Sequence, residues 1–310
     1  MATAHAAKIE TVPALIGGER SFAAGGATID AVNPATGAMI ARFPRCGPED
    51  VDRAVSAARE AFPAWKALNP AARAAMLNQL AGAVVSRGEE LARLDAEDNG
   101  SPLGDLRRDA LIGAAELRYY AGLALQVKGE TIPTGNDRVN YTIREPFGVV
   151  GRIILFNHPL LFATMKIGAP LAAGNTVVLK PSEHTSLSAL RLAEEFQRIF
   201  PPGVLSVLTG YGPEAGDALV VHPDVRRLAF IGQAETGRAI QARAASVAVK
   251  SVSLELGGKN PIVVFPDADI EKAVAGVVNG MNFNFQSQSC GSTSRLLVHR
   301  DINERFVEAV

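Results

Sequence analysis

From Val139 onward the chain alternates short apolar runs with segments of helical period, and few folds accommodate that rhythm. Residues 141–143, 148–155, 176–180, 204–209, 227–231, 251–255 and 261–265 read as strands. Helical spacing fills the gaps at 160–172, around Ala189 to Phe196, and at 214–221 and 234–247. Ile270, Ala273, Val274, Val277, Val278 and Met281 mark one further helical face. Strands joined by helical crossovers predict a mainly parallel α/β sheet, Rossmann-like, covered on both faces. Ligands of such sheets bind beyond the carboxyl ends of the strands, so the residues just after each strand carry the functional question.

Before Val139 the pattern differs. Residues 1–48 are rich in Gly, Ala and Pro, with an alternating piece at 28–32 and turn chemistry at Asn33-Pro34-Ala35-Thr36-Gly37. Val51, Ala54, Val55, Ala58, Phe62 and Trp65 then follow helical spacing after Pro48-Glu49-Asp50. Helices are predicted from 70 to about 98 and from about 105 to 126, separated by the turn Asn99-Gly100-Ser101-Pro102. At the other end, 295–299 reads as a strand, and Asp301 is the expected N-cap of a last helix carrying Ile302, Phe306 and Val310.

With 310 residues, about two domains are expected. Two cysteines, Cys46 and Cys290, exclude a disulfide framework, and five histidines form no cluster with metal-ligand spacing, so no metal is expected. Lys plus Arg (31) balances Asp plus Glu (32), which argues against a nucleic-acid partner. The longest apolar stretch, 158–174, is interrupted by Lys166 and Pro170, and residues 1–10 lack a signal-peptide core. A protein without a membrane partner, in the cytoplasm, is the expectation.

The residues after the strands offer several chemistries. G-x-G-x-x-G is absent; Gly210-Tyr211-Gly212 has its next glycine at Gly216, one residue late, which alone favours a plain turn. Lys180-Pro181-Ser182-Glu183 could hold a ribose, although a solvated turn is the simpler account of it in isolation. Gly232-Gln233-Ala234-Glu235-Thr236-Gly237 puts a helix N-terminus where a pyrophosphate could sit. Glu255 ends a strand beside Gly257 and Gly258, where partial desolvation would suit a general base; a structural pair with Lys259 is the alternative. Cys290 lies in the polar loop Gln286-Ser287-Gln288-Ser289-Cys290-Gly291-Ser292, open enough for a nucleophile, whereas Cys46 reads as incidental. Asn157 could donate to an oxyanion or simply cap the following helix.

In their order and separation these segments resemble one family. Phe156-Asn157-His158-Pro159, Lys180-Pro181-Ser182-Glu183, Phe230-Ile231-Gly232-Gln233-Ala234-Glu235-Thr236-Gly237, Glu255-Leu256-Gly257-Gly258-Lys259 and Gln288-Ser289-Cys290 are similar to the motifs of the NAD(P)-dependent aldehyde dehydrogenases, and the likeness runs from about Asn33 to Val310. It implies an aldehyde dehydrogenase-like fold: N-terminal helices and a cofactor domain over 1–256, with an oligomerisation arm near 127–146, then the start of an α/β catalytic domain over 257–310. It further implies oxidation of a small aldehyde to a carboxylic acid in a homo-oligomer. Cys290 would form the thiohemiacetal and thioester, Asn157 and the Cys290 backbone N–H would hold the oxyanion, and Glu255 would activate the deacylating water. Cofactor contacts would fall at Ile154, Leu155 and Phe156, at Lys180, Ser182 and Glu183, and at Gly212, Gly232, Gln233, Gly237, Leu256 and Gly257. Glu183 leans toward NAD, with NADP possible.

The resemblance also marks departures. Phe156 and His158 stand where tryptophan and another aromatic residue are frequent. Gln233 replaces a common serine, and Ser287 a usual glycine. Family members continue well past the cysteine, so the expectation is a chain that stops inside the catalytic domain. Two other functions fit the same residues: a dinucleotide-binding fragment without turnover, and a thiol esterase using Cys290.

Overall fold

The computed structural model describes residues 9–310, so the reading of residues 1–10 falls almost wholly outside the described residues. Two hairpins come first. β1 (Ala14–Ile16) and β2 (Glu19–Ser21) turn through Gly17 and Gly18, both at positive φ; β3 (Thr28–Val32) pairs antiparallel with β4 (Met39–Pro44). The turn expected at 33–37 forms between β3 and β4, with the Asn33 carboxamide accepting the Ala35 N–H at 2.9 Å.

Four helices follow: α1 (Pro48–Ala67), α2 (Pro70–Ser86), α3 (Gly88–Asn99) and α4 (Leu103–Leu123). Asp50 accepts the Gly47 N–H at 3.0 Å and so secures the start of α1. The sequence predicted one helix from 70 to 98. It breaks at Arg87, whose guanidinium is drawn aside to Glu90 and to the Arg191 carbonyl. The short strands β5 (Thr131–Ile132) and β6 (Asn140–Tyr141) form a hairpin with Ile132, Val139, Tyr141 and Ile143 exposed.

The alternating region gives β7 (Val149–Ile153), α5 (Pro159–Ala172), β8 (Thr176–Lys180), α6 (Leu187–Ile199), β9 (Leu205–Val207), α7 (Asp217–Val221), β10 (Val225–Gly232), α8 (Ala234–Ala245) and β11 (Ser251–Leu256). A π-turn over Gly212–Gly216 leads into α7. As expected, the fold is α/β with a mainly parallel sheet, ordered β11-β10-β7-β8-β9-β1-β2. All contacts among β7 to β11 are parallel, and β1 closes the far side antiparallel to β9. Every residue of β8 is buried, because helices cover both faces of a central parallel strand.

Beyond β11 lie β12 (Pro261–Val264), α9 (Ile270–Gly280), β13 (Arg295–Val298) and α10 (Asn303–Ala309). β12 and β13 pair parallel, and Val264, Val277 and Phe306 form a small core separate from the main one. Asp301 is not the cap that was expected. A 3-10 turn over Arg300–Ile302 intervenes, capped by His299, whose ring nitrogen accepts the Asp301 N–H, and Ile302 is the N-cap residue of α10. Phe306 is buried while Val310 is exposed. Among the described residues no helix is long and apolar enough to cross a membrane.

Candidate functional site

The chain order reverses at β7. From there the chain steps to β8 and β9 on one side and later to β10 and β11 on the other. That switch point opens a crevice at the carboxyl ends of the strands. A cleft of about 520 Å³ occupies it, walled by Ile153 to Phe156 after β7, Lys180 and Ser182 to His184 after β8, and Phe230 to Gln233 at the end of β10. Gly212 and Pro213 close one rim, and Thr236, Ala239, Ile240 and Arg243 line it from one face of α8.

Lys180 ends β8 and is 2% exposed, with Nζ 3.1 Å from the Pro181 carbonyl and 3.5 Å from Glu183 Oε2. Burial holds its pKa below the usual lysine range, opposed by the nearby Glu183 carboxylate. Ser182 spends its hydroxyl on the His184 N–H, which fixes the turn. A Cβ on Gly232 would come within 2.2 Å of the Phe230 ring, so only glycine fits that strand end. Gln233 is the N-cap residue of α8; its exposed side chain makes no capping bond and stands at the mouth of the cleft. Arg243 forms a two-point ion pair with Asp217, at 2.7 and 2.5 Å.

A second constellation lies beside this one. Asn157 is 2% exposed; its Nδ2 donates to the Gln288 carbonyl at 2.7 Å, and its Oδ1 is buried without a partner. It does not cap α5, where His158 is the N-cap residue. Cys290 follows two residues after Gln288 and is exposed, its carbonyl accepting from Asn260 Nδ2 at 2.7 Å. The loop reaches this place through left-handed backbone at Asn282, Gln286 and Ser287 (φ 52, 51 and 57). It is clasped from the α3–α4 turn: Gln286 Nε2 donates to the Gly100 carbonyl at 2.6 Å, and Gln288 Nε2 lies 3.4 Å from both Asn99 Oδ1 and Ser101 Oγ. Asn99 Nδ2 also donates to the Phe156 carbonyl at 2.6 Å, so one residue ties the loop bearing Cys290 to the strand end before Asn157. Cys46 is buried, and desolvation together with Asp50 pushes its thiol up to about 11.

Residues 22–310 match the aldehyde dehydrogenase family. The chain belongs to that family. It is 45% identical over 294 residues to hydroxyisobutyraldehyde dehydrogenase of Mycolicibacterium austroafricanum, covering 94% of this chain and 58% of that protein. Aldehyde dehydrogenase tropH of Talaromyces stipitatus is 42% identical over 284 residues, with 91% and 55% covered. The NAD+ complex of an aldehyde dehydrogenase from Bacillus cereus superposes with a TM-score of 0.93 at 43% identity, covering 96% of this chain and 61% of that one. The chain therefore spans less than two thirds of the length of these relatives.

Within this family framework some expectations need correction. Gly237, Leu256 and Gly257 are not among the residues lining the cleft. Gly237 is a packing glycine: a Cβ there would meet the Leu256 side chain at 3.0 Å and that of Leu254 at 3.3 Å, so its role is to seat α8 on β11. Glu255 is exposed rather than desolvated, because β11 is the edge strand of the sheet and leaves one flank open. Glu255 lines a small cavity of about 60 Å³ together with Arg152, Lys166 and Ser253. Burial and the neighbouring Arg227 bring Arg152 down to about 10, and its Nε finds no partner among the described residues. Sequence reasoning missed the α8 wall. Thr236, Ala239, Ile240 and Arg243 recur at helical spacing, the signal that would have found it.

Proposed function

We propose that the protein oxidises a small aldehyde to its carboxylic acid, with NAD as oxidant, and that it does so in the cytoplasm as a homo-oligomer. The observation that carries this reading is the hydrogen bond from the buried Asn157 amide to the Gln288 carbonyl, which ties the proposed oxyanion donor to the loop two residues before the exposed Cys290. Family membership supports the same chemistry, as does the NAD+ bound by the Bacillus cereus relative.

The cleft residues fit a dinucleotide. Glu183 offers carboxylate oxygens to ribose hydroxyls, and Lys180 offers a partly satisfied ammonium. Gly212 has open space where a side chain would stand, which lets a ligand approach the backbone. The first turn of α8 presents free N–H groups toward an anion. Arg243 is committed to Asp217, and Glu183 would repel a 2′-phosphate, so charge favours NAD over NADP.

Cys290 attacks the aldehyde carbon, and the developing oxyanion is held by the Asn157 amide and the Cys290 backbone N–H. NAD held by the cleft residues would supply the hydride acceptor for that carbon, and Cys290 would then carry the acyl group as a thioester. Glu255 takes a proton from water, the hydroxide attacks the thioester, and the acid departs as the thiolate reforms. Residues 1–256 then serve as the cofactor domain and 257–310 begin the catalytic domain, a division supported by the separate core around Phe306. The exposed apolar hairpin of β5 and β6 serves as the arm between subunits.

NADH absorbance over a panel of aliphatic and aromatic aldehydes tests this. Cys290→Ala is expected to abolish turnover while NAD still binds, and Glu255→Gln to keep a burst of NADH before a slow steady state. NAD binding with no NADH from any aldehyde would leave only a dinucleotide-binding role, and aldehyde-independent ester cleavage would point to the esterase.

A further inference from the structure

His158 departs from the family pattern, and the structure gives that departure a partner. It is the N-cap residue of α5, directly after Asn157, with its side chain 12% exposed. Its Nδ1 lies 2.7 Å from Oδ2 of Asp109 on α4, itself 4% exposed. The imidazole rests on Phe285 of the nucleophile loop, with ring centroids 4.4 Å apart, and meets Phe162 edge-on at 5.5 Å. It is thus wedged among α4, α5 and the loop that Asn157 holds through Gln288.

The ring is asymmetric in its bonding. Asp109 fixes Nδ1 and the orientation of the imidazole, whereas Nε2 makes no hydrogen bond with any described residue. A ring nitrogen without a partner among the described residues, beside two phenyl rings and next to the residue proposed as oxyanion donor, is poised for a ligand group that is itself polar and carried on an apolar body. We infer that the Asp109–His158 pair determines specificity, with Nε2 binding a hydroxyl carried on the substrate, so that hydroxyaldehydes are preferred over alkyl aldehydes of equal length. This rests on the aldehyde-oxidation reading above. A hydroxyl suits either state of the ring: it donates to the lone pair of neutral imidazole and accepts from the N–H of imidazolium. A carboxylate pairs with the imidazolium alone. Asp109 is a positioning residue in this scheme, acting through the ring.

The test compares kcat/KM for ω-hydroxyalkanals and the matching alkanals in the intact protein. Wild type is expected to favour the hydroxylated member by about tenfold or more at the best chain length. His158→Phe should remove that preference by lowering kcat/KM for the ω-hydroxyalkanals more than for the alkanals, and His158→Gln should restore part of it. Asp109→Asn, which still accepts the Nδ1 proton, should keep the preference, whereas Asp109→Ala should lose it. A ratio unchanged in His158→Phe overturns the assignment; so does an equal fall for both substrates, which would make the ring merely structural. Should wild type yield no NADH from either series, the activity reading is what fails. The subsite is then decided by calorimetric binding of alkanediols against alkanols, where equal affinities for wild type would overturn it.

Discussion

Asp95 and Asp98 lie one turn apart on α3 and are both buried. Asp95 Oδ2 accepts the Leu160 N–H at 3.0 Å and Asp98 Oδ2 the Leu187 N–H at 3.2 Å, so these side chains satisfy the first turns of α5 and α6. Burial outweighs those hydrogen bonds and pushes Asp95 up to about 8 and Asp98 up to about 7, from an ordinary 3.8. In the unfolded chain both acids ionise near that ordinary value, so above it the folded chain retains protons that the unfolded one has lost. Stability must therefore fall as pH rises from about 4 to about 8, and level off beyond. Asp95→Asn keeps an acceptor for Leu160 without the charge. Its melting temperature should match wild type near pH 4 and exceed it by roughly 2–4 °C at pH 8; a gap independent of pH would contradict the argument. Nothing in the sequence separates these acids from the solvated ones around them on α3, because only the packing of α5 and α6 buries them. Lys180, Asn157 and Cys290 could be singled out because each sits at a strand end or in a polar loop, although position alone left a solvated turn open at Lys180 and a helix cap at Asn157, and the roles proposed for them came with the family resemblance.

At the scale of elements, the crossover rhythm gave nearly every strand and helix of the parallel sheet, because buried central strands and amphipathic helices write themselves into hydrophobic period. Side-chain detail set what the rhythm missed: the break at Arg87, the π-turn ahead of α7, the histidine cap ahead of α10. The loop bearing Cys290 is a further case: its left-handed residues have no periodicity to betray them, and Ser287, where the family usually has glycine, stands at φ 57. A serine held there is strained by about 1 kcal/mol relative to glycine. Ser287→Gly should raise the urea midpoint by an amount corresponding to that figure, less the added freedom of the unfolded chain. A variant no more stable than wild type would mean that the clasp at Asn99, Gly100 and Ser101 offsets the strain fully.

For the whole molecule, the sheet and its helices share one large core, to which Ile154, Phe230, Ile231 and Ile240 of the cleft belong, while the segment bearing Cys290 rests on a small separate core. Ligand binding to the cleft should therefore stabilise the larger unit. NAD at about 100 times its Kd should add about 2.7 kcal/mol, visible as a rise in melting temperature. Lys180→Met should lose most of that rise, since it removes the buried ammonium beside Glu183; an undiminished rise would take Lys180 out of the site. The clasp between the α3–α4 turn and the nucleophile loop has a bearing on how the chain is made. Ser101 and Gln288, 187 positions apart, meet in it, and Asn99, Phe156 and Asn157 are all synthesised long before Cys290. Chains leave the ribosome from their N-terminus and their leading domains fold first. The turn and the strand end that clasp the loop are therefore made well before the residues they hold.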